Sequence, residues 1–196
     1  MANELTLEGV LAITGSNMSG KSTFLRAVGV NALLAQALGF ACADRYQGPL
    51  LRLATSLRVA DDLGKGQSTY LAEARRLKAM LEEAAGGRTL FLLDEPFRGT
   101  NSPERIAAAV ALLRHLRREG HLAIAATHDL EVASTAASDG MASAHFADGV
   151  TAEGLSFDHQ LRPGVSREHN ALKLLEVLGL PAAMVAEARA YAKERG

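Results

Sequence analysis

Gly15, Gly20, Lys21 and Ser22 lie in the stretch GSNMSGKST at the spacing G-x-x-x-x-G-K-[ST], between the apolar run VLAIT and a segment of helical periodicity. That spacing suits a chain of phosphates. Glycines let backbone N–H groups turn toward anionic oxygens, a helix start adds positive partial charge, and the lysine adds a full one. The candidate nucleotide cradle is therefore Gly15, Ser16, Asn17, Met18, Ser19, Gly20, Lys21, Ser22 and Thr23, with Lys21 also facing the phosphoryl group in transfer and Ser22 suited to ligate Mg2+. Asp94 and Glu95 close the run TLFLLDE, where a buried strand would emerge into the ligand crevice of a doubly wound sheet. Asp94 suits Mg2+, directly or through water, and Glu95 suits orienting or deprotonating an attacking water. His128, in ATHD, stands at another strand end within reach of the terminal phosphate or that water. Acids and histidines also solvate ordinary strand ends, so the joint occurrence carries the reading.

These side chains need a scaffold that brings several strand ends together. Short apolar runs alternating with helical periodicity predict a parallel sheet crossed by helices, an α/β class. Val10 to Thr14 reads as a buried strand, followed by a helix with apolar Phe24, Leu25, Val28, Leu33 and Leu34 that stops at Gly39. Thr89 to Pro96 and His121 to Thr127 read as two further strands. Between them Ser102 is the expected cap of a helix with Pro103 in its first turn, ending at Gly120. SFDHQLRPG reads as a late strand running into a turn, and Pro181 opens an alanine-rich terminal helix.

The chain has 196 residues, 48% of them hydrophobic, enough for one compact domain over residues 1–196. No run approaches the roughly 20 apolar residues of a membrane helix, and the start lacks the order of a signal peptide, so the expectation is a cytoplasmic chain without a membrane partner. The one cysteine, Cys42, excludes an internal disulfide and reads as a buried structural thiol. A net charge of -1 provides no strong attraction to a polyanion, and Arg114, His115, Arg117 and Arg118 read as the solvated face of a helix.

Five segments in order, TGSNMSGKSTFLR, GQSTYLAE, LLDEPFRGTN, ATHDLE and ALKLLEVLGLP, resemble the ATPase domain of the MutS family, DNA mismatch-repair proteins and their relatives. The resemblance runs from Asn3 to about Ala192, and Asn17-Met18 and the STYLAE stretch are its most specific parts. It implies a P-loop NTPase of ABC type that binds ATP and Mg2+ and hydrolyses ATP. Gly15 to Thr23 would be the Walker A loop, Asp94 and Glu95 the Walker B pair, and His128 the switch histidine. Ser68 and Thr69 would reach across a homodimer to the other subunit's terminal phosphate. From the residues alone Ser68 is a helix cap, heading a segment with apolar Leu71, Leu77, Met80 and Leu81.

The same resemblance places Arg98, Gly99, Thr100 and Asn101 at the dimer interface, matches Asp61 and Asp62 to an acidic approach to the Ser-Thr pair, and sets His159 against the adenine base. Asp61 and Asp62 read equally well as turn acids, and His159 as an exposed histidine. Pro96-Phe97 departs from the small or branched residues usual after the acids. The family's adenine-stacking aromatic would precede Met1, which implies either the C-terminal part of a longer protein, whose other domains hold DNA, or weaker binding of the base. Two other readings stay open: another ABC-type ATPase, such as a chromosome-structure, recombination or transporter motor, and a nucleotide-gated dimerisation module that barely hydrolyses ATP.

Overall fold

The computed structural model describes residues 2–57, 69–151, 154–166 and 171–195. Along the chain run β1 (Val10–Thr14), α1 (Lys21–Leu38), β2 (Arg52–Ser56), α2 (Thr69–Ala84), β3 (Thr89–Asp94), α3 (Ser102–Arg118), β4 (Leu122–Thr127), α4 (Leu130–Ser138), β5 (Ala142–Thr151), β6 (Gly154–Pro163), α5 (Ala171–Val177) and α6 (Ala182–Arg195). The strands form a six-stranded sheet in the order β2-β3-β4-β1-β5-β6. Every pairing is parallel except β5 with β6, which is antiparallel. The expected mostly parallel α/β sheet is present. No helix among the described residues is long and apolar enough to cross a membrane.

Full burial of β1, β3 and β4 explains their unbroken apolar sequences: alternate residues point to opposite faces, and both faces are covered. Val10, Ala12, Phe91 and Leu93 pack on one side with Leu77 of α2, Leu113 and Leu116 of α3 and Val132 of α4. Leu11, Ile13, Leu90 and Leu92 pack on the other with Leu25 and Ala32 of α1. Each such buried leucine or isoleucine contributes about 1.5–3 kcal/mol. This two-sided core holds the carboxyl ends of three adjacent strands at one rim of the sheet.

Four details differ from the sequence-based expectation. Cys42 is exposed, because α1 ends at Gly39 and residues 40–50 run over the surface without regular structure, leaving Phe40 and Leu50 exposed as well. The cap of α3 is Asn101 and not Ser102: the Asn101 side-chain oxygen accepts the Glu104 N–H at 3.1 Å, so Ser102 is already helical and Pro103 occupies the first turn. β3 stops at Asp94, since Glu95 turns out of the sheet with φ 55°. Leu33 faces outward from α1 because Leu25, Gly29 and Ala32 form its buried stripe. The short β2 and the mixed β5 carry too little apolar contrast to be read as strands from sequence. Ser68, Asp61 and Asp62 lie outside the described residues.

Candidate nucleotide-binding site

Parallel register sets the site. Thr14 of β1 pairs with Thr127 of β4, and Asp94 of β3 pairs with Ala126 of β4, so the loops after all three strands emerge side by side. From the first loop comes Lys21, the first residue of α1, with Gly20 as its cap at φ 108°. Its ammonium donates to the Gly15 and Ser16 carbonyls at 2.7 and 2.9 Å and lies 4.0 Å from Glu95 Oε1. Lys21 and Glu95 are both almost fully buried. Ser22 Oγ donates to Asp94 Oδ2 at 2.6 Å, bringing together the two groups expected to hold a metal ion. From the third loop, His128 Nδ1–H donates to Glu95 Oε2. The result is a cleft of about 140 Å3 lined by the residues of the glycine loop together with Asp94 and Glu95.

The lining fits an anion with a hard cation. Ser16 Oγ, Ser19 Oγ and Asp94 Oδ1 are buried and lack a hydrogen-bond partner among the described residues, which is costly unless a ligand supplies one. Side chains cannot replace the two framing glycines. A Cβ on Gly15, at φ 152°, would lie 2.7 Å from Ser19 Oγ and 3.0 Å from the Phe146 carbonyl. One on Gly20 would meet His159 Nδ1 at 3.1 Å. Ser22 and Asp94 offer oxygen donors of the kind Mg2+ takes, one or two from the protein and the rest from water and phosphate.

Residues 11–195 match the family described as MutS domain V. The chain belongs to the MutS family. The DNA mismatch repair protein MutS of Natronomonas pharaonis is 39% identical over 181 residues, covering 91% of this chain and 21% of that protein. The protein of the same description from Thermus thermophilus is 38% identical over 191 residues, covering 97% of this chain and 23% of its own length. DNA mismatch repair protein MutS 2 of Haloarcula marismortui is 35% identical over 180 residues, 90% of this chain and 19% of that protein. The chain spans about a fifth of the length of the curated relatives it matches.

Within this MutS domain the expected residues divide by place. Gly15 to Thr23, Asp94, Glu95 and His128 meet in or beside one cleft. Asn17 and Met18 are exposed on its outer lip. His159 lies at the far side of the loop, where its Nδ1–H donates to the Ser19 carbonyl at 2.9 Å and its ring stacks on Phe157 with centroids 6.0 Å apart. Asn3 fixes that position by donating to the His159 carbonyl at 2.9 Å and accepting the Leu161 N–H at 2.7 Å. Thr69 begins α2, and its partner in the expected pair, Ser68, is outside the described residues.

Sequence reading missed the groups that support the site. Arg105 of α3 forms a two-point ion pair with Asp129, at 2.8 and 2.9 Å, beside His128. The Arg105 hydrogen bonds hold the Asp129 carboxyl below its ordinary range. Glu73 of α2 accepts the Phe97 N–H at 2.7 Å, just beyond Glu95. Both acids stood inside stretches already singled out, STYLAE and ATHDLE, but spacing alone does not reveal partners 24 residues away. Met18, Glu95, Phe97 and His159 are the non-glycine residues with positive φ among those described, and all four border the cleft or the turn behind it. Strain of this kind gathers where the surrounding structure fixes functional geometry.

Proposed function

We propose that this domain binds MgATP and hydrolyses it as the ABC-type ATPase module of a MutS-like DNA repair or recombination protein. The carrying observation is Glu95, whose buried carboxylate is held by His128 on one oxygen and faced by the Lys21 ammonium on the other, at the mouth of the glycine loop. The backbone N–H groups of the loop, the head of α1 and Lys21 bind and orient the phosphates. Glu95 aligns a water with the terminal phosphorus and accepts its proton, while His128 fixes the carboxylate and reaches the terminal phosphate from its half-exposed position. Ser22 and Asp94 hold Mg2+, which neutralises charge on the phosphates when bound. His159 packs beside the adenine base. Ser68 and Thr69 of a second copy close each site, giving two composite sites across a two-fold dimer, with Arg98 to Asn101 at the seam. DNA is held by the other domains of the larger protein.

Glu95→Gln separates this enzyme from a module that only binds nucleotide. The substitution keeps size and hydrogen bonding but removes the base. Turnover should fall by about 10²–10⁴-fold while ATP binding persists and ATP-bound dimers accumulate in sedimentation. Unchanged turnover would remove Glu95 from the mechanism.

A further inference from the structure

Glu95 opens an unusual turn. It and Phe97 flank the buried Pro96, and both have left-handed backbone, at φ 55° and 65°. On one side the turn is tied to β4, through the Glu95 N–H to the Ala126 carbonyl at 2.8 Å. On the other it is seated on the first turn of α2. Half-buried Glu73 accepts the Phe97 N–H at 2.7 Å, and the Arg98 charge faces the same carboxyl. The Tyr70 ring lies 6.4 Å from that of Phe97. Gly99 passes so close that a Cβ there would lie 2.6 Å from the Tyr70 nitrogen and 2.8 Å from its Cα.

We infer that Glu73 is a positioning residue for hydrolysis: by holding the Phe97 N–H it keeps the strained 95–97 turn, and so the Glu95 carboxylate, aimed at the glycine loop. The inference rests on reading Glu95 as the group that aligns the water. Left-handed backbone at two non-glycine residues persists only where the surroundings over-determine it, and the Glu73 carboxyl on the Phe97 N–H, the Glu95 N–H on β4 and the close approach of Gly99 to Tyr70 together do this. Because α2 starts at Thr69, a shift of the head of α2 is carried through Glu73 to Glu95 in the same subunit. Occupation of one site and the aim of the other are thereby linked.

The test is Glu73→Ala in the full chain, with and without Glu95→Gln. Hydrogen exchange at the Phe97 amide should accelerate. kcat should fall by about 10–100-fold, the loss typical of a displaced catalytic group, while affinity for a non-hydrolysable ATP analogue stays within about twofold on the tenfold-per-1.4 kcal/mol scale. In the Glu95→Gln background Glu73→Ala should cost no further turnover, since the aim of a base no longer matters once the base is gone. Should Glu73→Ala fail to fold, Glu73→Asp keeps the charge, withdraws the oxygens by one methylene, and should lower kcat at unchanged analogue affinity. Retained kcat in whichever Glu73 variant folds, with Glu95→Gln inactive, overturns this inference and leaves the role of Glu95 intact. Full activity of Glu95→Gln overturns both. Unchanged exchange at Phe97 overturns the latch whatever the turnover.

Discussion

Asp129 shows how one carboxylate beside the candidate site serves both stability and geometry. Its two oxygens take the Arg105 guanidinium at 2.8 and 2.9 Å, and its backbone N–H donates to Thr127 Oγ1 at 3.0 Å, fixing the step that carries His128. Arg105 holds the carboxyl below its ordinary pKa of 3.8. A carboxyl that is more acidic folded than unfolded adds stability in full above the unfolded pKa, and loses it as pH falls through the folded one. Asp129→Asn should therefore cost about 1–3 kcal/mol at neutral pH, as expected for a largely buried charged pair broken on one side. Urea unfolding at pH 7 and again near pH 3 should show the gap between variant and parent narrowing in acid. An equal gap at both pH values would mean that the pair contributes no charge-dependent stability.

At the scale of elements, the position of α1 decides where the phosphate loop ends. Gly29, buried in the middle of α1, lets the helix lie close on β3: a Cβ there would approach Leu92 Cδ1 to 2.8 Å. Leu92 is fully buried in β3, two residues before Asp94. Leu92→Ala should cost about 2–5 kcal/mol in chemical denaturation by opening a cavity. Gly29→Ala should be tolerated far better in that background than alone, because the added methyl enters the vacated space. The double variant is thus expected to be less destabilised than the sum of the single ones. Strict additivity would mean that α1 and β3 do not pack as closely as described.

For the whole molecule, the proposed site is incomplete in one copy, because the Ser68–Thr69 pair would act on a partner's phosphate. Turnover per subunit should then rise with protein concentration and level off as dimers fill, and Ser68→Ala should flatten that rise by lowering its plateau. A dilution series of steady-state activity checks both. Activity independent of concentration, with Ser68→Ala harmless, would sink the shared-site arrangement. The net charge of -1 gives this chain no strong attraction to a polyanion, in line with the proposal that DNA is held elsewhere.

The α/β class, β1, β3 and β4, the glycine loop and the set Lys21, Ser22, Asp94, Glu95 and His128 that the fold brings together were legible in the sequence. Each rests on a local signal: an apolar run long enough to bury both faces, or residue types at fixed offsets. The exposure of Cys42, the Asn101 cap, the strands β2 and β5, and the supports Glu73 and Arg105 were not. Those depend on which segments meet after folding. A carboxylate on α2 and an N–H beyond β3 become partners only because parallel pairing puts both beside the rim of one sheet. Local chemistry along the chain determined which groups this candidate site contains, and the tertiary structure decided how the strained turn at Glu95 is held, since the positive φ of Glu95 and Phe97 is stabilised by contacts remote in sequence.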